Sequence, residues 1–215
     1  MASNISHVFR NPLAVMKGYL QLIDKSNGSE QQTKYLKTIS AQVNKIEHIT
    51  AEFAALAEPH LGAQKEVNVT QLFENVKNHM EPQALAKSIT ISVETEHDTC
   101  TIICDEVKMK QVFINLVKNA IEAMDQGHIT LEAKEAAPHY FNLSVSDNGP
   151  GIPDHIFNQL GQPFLTTKPN GAGLGLLICK KIAEAHGGQL MVDSEVGKGT
   201  KVTVSLLKSE TVERG

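Results

Sequence analysis

Apolar residues recur every three or four positions through Ile5, Phe9, Leu13, Met16, Leu20 and Ile23, the period of an amphipathic helix with one buried stripe. Ser26-Asn-Gly-Ser29 interrupts that period, and a second stripe runs through Leu36, Ile39, Val43, Ile46, Ile49, Phe53 and Leu56. Its heptad-like steps suit a seam between packed helices. Two helices alone bury little, so the pattern predicts a helical hairpin over residues 1–60 that dimerises into a four-helix bundle. Glu58-Pro-His-Leu-Gly62 ends the helical period with a Pro and a Gly and marks a linker.

A second domain, residues 65–208, follows with a different pattern. Helical spacing covers residues 70–87, and strand-like runs cover 89–94 and 101–104. A long helix is predicted over 105–124, then strands over 128–134 and 140–146, a glycine-bearing loop, a helix over 174–186 and strands over 189–193 and 200–206. That order predicts an α+β chain whose second domain is an α/β sandwich with helices layered on one sheet face. Residues 208–215 read as a frayed tail.

A chain of 215 residues with 41% hydrophobic content can bury a core of this kind. Lys plus Arg total 20 against 24 for Asp plus Glu, a net charge of −4, and no basic stripe is sustained, which argues against nucleic acid as a partner. Charge interrupts the longest apolar stretches, so no span or signal peptide is expected and the fragment reads as cytoplasmic. Cys100, Cys104 and Cys179 form an odd set without a CxxC pair, which predicts reduced core thiols.

Candidate chemistry gathers in the second domain. Asn115 and Asn119, four apart on the predicted helix, share a face on which neutral carbonyl oxygens can ligate a hard cation such as Mg²⁺ beside phosphate oxygens. Asp147 follows a strand-like run and can accept from a purine amino group; Gly149 and Gly151 let backbone approach a base. Gly171, Gly173 and Gly175 open a helix whose free N–H groups suit phosphate. The chain holds no G-x-x-x-x-G-K-[ST] loop, and Gly171-Ala-Gly-Leu-Gly175 is not the dinucleotide fingerprint.

These motifs resemble those of bacterial sensor histidine kinases. Asn115-Leu-Val-Lys-Asn119 is similar to the N box, Asp147-Asn-Gly-Pro-Gly151 to the G1 box, Gln162-Pro-Phe-Leu-Thr-Thr-Lys168 to the F box and Gly171-Ala-Gly-Leu-Gly175 to the G2 box. Ser6-His-Val-Phe-Arg-Asn-Pro-Leu13 resembles the H box, and the Arg-Asn-Pro-Leu start resembles the sporulation-type kinases that feed a phosphorelay. The resemblance covers residues 3–207 and implies an ATP-binding domain of the histidine kinase/Hsp90-like ATPase type, with ATP and Mg²⁺ as cofactors.

It further implies that the γ-phosphoryl group of ATP moves to His7, flanked by Arg10 and Asn11, and then to an aspartate of a response regulator. A neutral imidazole offers a ring lone pair, and a pKa of about 6.5 leaves much of it unprotonated near neutral pH. By the same resemblance Asn119 is the direct Mg²⁺ ligand, Asn115 supports the cation or its phosphates, and Asp147 anchors adenine. Thr167 and Lys168 contact phosphate from a mobile lid, with Gly171, Gly173, Leu174 and Gly175 closing the site and Thr200 near the base; a Thr opening a strand is an equally ordinary feature. Lys118 reads equally as a phosphate contact or a solvated helix lysine.

Two departures carry expectations. The acidic residue that usually follows the family's histidine is Val8 here, which predicts slow or absent phosphatase activity. His7 stands six residues from the start, so the helix that precedes it in the family falls outside this chain; the full-length protein is expected to be a longer, membrane-anchored sensor. Pro12 lacks an N–H and predicts a bend just past His7. Of two rivals, an ATP-hydrolysing clamp would need an acidic residue where Asn115 stands. The other is a docking module whose hairpin binds a regulator or a small inhibitor protein.

Overall fold

The computed structural model describes residues 2–23, 29–57, 61–96, 100–137, 139–163 and 173–208. The chain forms two compact units, one of residues 1–58 with 161–175 and the other of residues 59–160 with 176–215.

In the first unit, helix α1 (Ala2–Ile23) and helix α2 (Ser29–Ala57) form the hairpin that the two apolar stripes predict. The rings of Tyr19 and Tyr35 meet at 5.3 Å between centroids, one from each helix. α1 continues as one helix through Pro12, which is buried; the loss of one internal hydrogen bond does not end it. Several stripe residues stay in water: Leu13, Leu20 and Leu36 are each more than half exposed.

The second unit opens with strand β1 (Lys65–Asn68) and helix α3 (Val69–Leu85), for which Asn68 supplies the N-cap by accepting from the Gln71 N–H at 2.8 Å. Strands β2 (Ile89–Thr95) and β3 (Thr101–Cys104) precede helix α4 (Glu106–Ala123). Strands β4 (Gly127–Ala137) and β5 (Tyr140–Asp147), the short helix α5 (Asp154–Phe157), helix α6 (Gly175–Ala185) and strands β6 (Gln189–Glu195) and β7 (Gly199–Leu207) complete it. β1 pairs antiparallel with β3, and a five-stranded sheet has the order β2-β4-β5-β7-β6. Within it β2 runs parallel to β4, and the other neighbours run antiparallel.

Period-two alternation sorts the sheet. Ile129, Leu131, Leu143, Val145, Val204 and Leu206 are buried, while Thr90, Ser92, Thr130, Glu132 and Lys201 point to the other side and stay partly or fully exposed. Helices therefore clad one face, as the sequence predicts. α4 presents Met109, Val112, Phe113, Leu116, Val117, Ala120 and Ile121 to that core, and Phe113 meets Phe73 of α3 edge to face at 4.9 Å. Cys100, Cys104 and Cys179 are buried free thiols; burial pushes the first up to about 11 and the second to about 12, so both are inert protonated core groups. Among the described residues no helix is long and apolar enough to cross a membrane.

Candidate nucleotide-binding site

The buried stripe of α4 fixes the rotation of that helix, and this places Asn115 and Asn119 together on its half-buried flank. Their amide oxygens are hard, neutral donors, the type Mg²⁺ accepts when phosphates supply the negative charge. No cluster of three acidic, His or Cys side chains among the described residues offers a competing metal site. Lys118 lies 4.0 Å from Glu122 one turn on and is half exposed, the arrangement of a solvated helix lysine.

β5 ends at Asp147, whose Oδ1 accepts the Gly149 N–H at 2.9 Å and the Thr200 N–H at 3.3 Å. Both bonds fall on one oxygen, which leaves Oδ2 to accept from a ligand's amino group. Burial pushes the Asp147 carboxyl above the usual carboxylate range, against the pull of those two N–H groups. An open cleft of about 370 Å³ runs along the β6–β7 hairpin past Asp147 and Thr200, with Asp193, Lys198 and Lys201 in its lining, and it takes in neither Asn115 nor Asn119.

The glycines here have steric causes. A Cβ on Gly149 would come within 2.8 Å of both Asp147 Oδ1 and Met124 Cγ, and on Gly151, at φ 71°, it would strike the Glu195 carbonyl. The loop thus lies against the β6–β7 hairpin through bare backbone.

Two further side chains shape the loop, and the sequence did not single them out. Ser194 Oγ accepts the Ile152 N–H at 2.8 Å and lies 2.9 Å from Thr200 Oγ1, so it stitches the glycine loop to Thr200. Asn148 Oδ1 accepts the His128 N–H at 2.8 Å and fastens the loop to the start of β4. A Ser inside a strand and an Asn beside a Gly are common enough that neither stood out; their partners are 42 and 20 residues away.

The remaining candidates divide. Gly173 has φ 69°, Leu174 is fully buried and Gly175 opens α6. Thr167, Lys168 and Gly171 lie outside the described residues, as do Phe164 and Thr166. Arg10 and Asn11 are exposed on α1. His7 is placed on the same helix, and its side chain lies outside what the structure describes.

Residues 104–210 match the family described as histidine kinase-, DNA gyrase B- and HSP90-like ATPase, and residues 1–61 match the His Kinase A (phospho-acceptor) domain. Sporulation kinase A of Bacillus subtilis (strain 168) is 39% identical over 209 residues, 97% of this chain and 34% of that kinase. The chain spans 29% to 49% of the length of that organism's sporulation kinases A to E. The solved complex of histidine kinase ThkA with the response regulator protein TrrA is similar at 30% identity and a TM-score of 0.80, over 97% of this chain and 61% of ThkA. Full-length ShkA in complex with AMPPNP is similar at 25% identity and a TM-score of 0.74, over 96% of this chain and 45% of ShkA. From its hairpin to the last strand of its sheet, the chain belongs to the sensor histidine kinase family.

Proposed function

We propose that this chain is the catalytic core of an ATP-dependent protein-histidine autokinase, homodimeric through its hairpin, that phosphorylates His7 and passes the group to an aspartate of a response regulator. The observation that carries the reading is the Asp147 carboxylate. One of its oxygens is pinned by the N–H groups of Gly149 and Thr200, and the other is left for the adenine amino group. The AMPPNP bound by ShkA is an ATP analogue, and the regulator bound by ThkA has the chemistry of the second acceptor; both support the assignment.

In the autokinase step a lone pair on a ring nitrogen of His7 attacks the γ-phosphorus. The bond from that phosphorus to the bridging oxygen breaks, and ADP leaves with the electron pair. With Val8 beside it, the imidazolium so formed loses its proton to water. The phosphoimidazole then takes a proton from water on its other ring nitrogen, a carboxylate oxygen of the regulator's aspartate attacks the phosphorus, the N–P bond breaks and neutral imidazole leaves. Asn119, with Asn115 beside it, would hold Mg²⁺, which when bound neutralises phosphate charge. Positioning does most of what remains, because phosphoryl transfer asks little covalent chemistry of the protein. Thr167 and Lys168 contact the phosphates from a lid, Gly171, Gly173, Leu174 and Gly175 lead into the start of α6, whose free N–H groups suit phosphate, and Arg10 and Asn11 flank the acceptor.

The exposed Leu13, Leu20, Leu36 and Val43 on α1 and α2 support the homodimer, since a second copy would bury them in a four-helix bundle. Similarity to the sporulation kinases supports a place at the head of a phosphorelay.

Incubation with γ-labelled ATP and Mg²⁺ tests the reading. Acid-labile, base-stable label is expected on the wild type and absent from His7→Gln and Asn119→Asp. Steady phosphate release without protein label would replace the kinase by an ATPase.

A further inference from the structure

Asp105 is the N-cap of α4: its Oδ1 accepts the Lys108 N–H at 3.1 Å. One side-chain oxygen is all a cap requires, and Ser, Thr or Asn would serve as well. Asp105 offers a second oxygen, and it is used. Oδ2 accepts the N–H of Gly62 at 2.7 Å, from the stretch that enters this unit after α2. The Asp105 N–H in turn donates to His186 Nε2 at 3.0 Å, just past the last turn of α6. His186 Nδ1 lies 2.7 Å from the Ile182 carbonyl oxygen, so the ring donates there and keeps Nε2 free to accept.

One residue, only 7% exposed, thus joins three segments: its side chain holds the incoming chain and the head of the helix bearing Asn115 and Asn119, and its backbone N–H holds the tail of the helix opened by Gly175. Beside it Lys65 of β1 pairs with Glu106, the next residue of α4, at 2.5 Å.

We propose that Asp105 is a positioning residue for phosphoryl transfer to the histidine: its second oxygen fastens the incoming chain at Gly62 and so shortens the tether on which the nucleotide unit works. The inference rests on the kinase reading above. With the bond made, residues 58–61 separate α2 from the first fastened amide; without it, residues 58–64 separate α2 from β1. Fully extended, those spans reach about 14 Å and about 25 Å. Effective concentration falls roughly as the −3/2 power of tether length, so losing the clasp should slow transfer about two-fold or more without touching the nucleotide site.

Asp105→Asn is nearly isosteric, keeps an oxygen for the cap and puts an amide NH₂ where Gly62 needs an acceptor. Asp105→Ser keeps the cap with a shorter arm and guards against a local failure of the first variant. For both, labelling of the histidine at saturating ATP and Mg²⁺ is expected to slow about two-fold or more. ATP affinity should be unchanged, and hydrogen exchange at the Gly62 amide should quicken. Labelling at the wild-type rate, or a fall in ATP affinity that accounts for the slowing, overturns the inference while leaving the kinase reading intact. A wild type that forms no phosphohistidine removes both.

Discussion

Asp147 of β5 and Thr200 of β7 are register partners at the end of the sheet, and the Thr200 backbone N–H turns onto the Asp147 carboxylate at 3.3 Å. With the Gly149 N–H on the same oxygen, the carboxylate has a fixed orientation. Asp147→Asn should keep its Oδ1 on those amides and turn an NH₂ toward the nucleotide, donor against donor. A hydrogen bond to a charged group contributes about 1.5–3 kcal/mol, so ATP affinity should weaken about 10- to 150-fold, measured by calorimetric titration. Burial raises the folded pKa of this group, so its stabilising contribution is present below the unfolded pKa and lost as pH rises through the folded one. The apo variant should therefore be no less stable than wild type at neutral pH. As pH is lowered, wild-type ATP affinity should fall earlier than an ordinary carboxylate would give, because burial makes Asp147 take up its proton more readily.

Asp105 has the opposite sign. Burial pushes its carboxyl up, but the N–H groups of Lys108, Gly62 and Val107, with His186 nearby, outweigh burial and hold it below the usual range. Its contribution is complete above the unfolded pKa and is lost as pH falls through the folded one. Urea unfolding between pH 6 and 3 should show a steeper acid loss of stability in wild type than in Asp105→Asn; equal slopes would refute this.

Gly151→Ala should cost nucleotide binding and stability together, because the new methyl meets the Glu195 backbone and φ 71° strains any residue with a Cβ. Gly197→Ala isolates the second cause: φ is 82° there, but nothing lies within 4 Å of the added carbon. Thermal unfolding should rank Gly151→Ala well below Gly197→Ala.

Val8 follows His7, the proposed phosphoacceptor, where the resemblance leads one to expect an acidic residue. The half-life of a phosphorylated response regulator should be the same with and without this protein, followed by loss of label. Rapid dephosphorylation on adding the protein would refute the expectation.

Long periodic segments were legible from the residues alone. The stripe from Met109 to Ile121 identifies α4 and, through its rotation, the shared face of Asn115 and Asn119. β1 was missed because four residues with one buried side chain, Val67, show no measurable alternation; only pairing with β3 makes them a strand. α5 was missed for a similar reason, since four residues after Pro153 carry no period. His186 holds the end of α6 through the Ile182 carbonyl, and its second nitrogen accepts from a backbone amide 81 residues away, a partner that no local signal announces. Asp105 reads as the start of a helix, and nothing in its neighbourhood signals Gly62, 43 residues earlier. Local chemistry shows in a sequence; which distant amide shares it is decided by packing.

The parallel pairing of β2 with β4 sets an order of events in folding. A hairpin cannot join parallel neighbours, and the chain between these two carries β3 and all of α4. Loop closure over that distance is entropically unfavourable until the intervening helix has docked, so β2 can add to the sheet only late. α4 is then expected to form part of the folding nucleus. Truncations on its buried side, such as Val117→Ala, should slow refolding, whereas truncations on β2, such as Ile89→Val, should mainly hasten unfolding. The helix that presents the two asparagines is on this account also the one whose sequence sets how fast the unit forms.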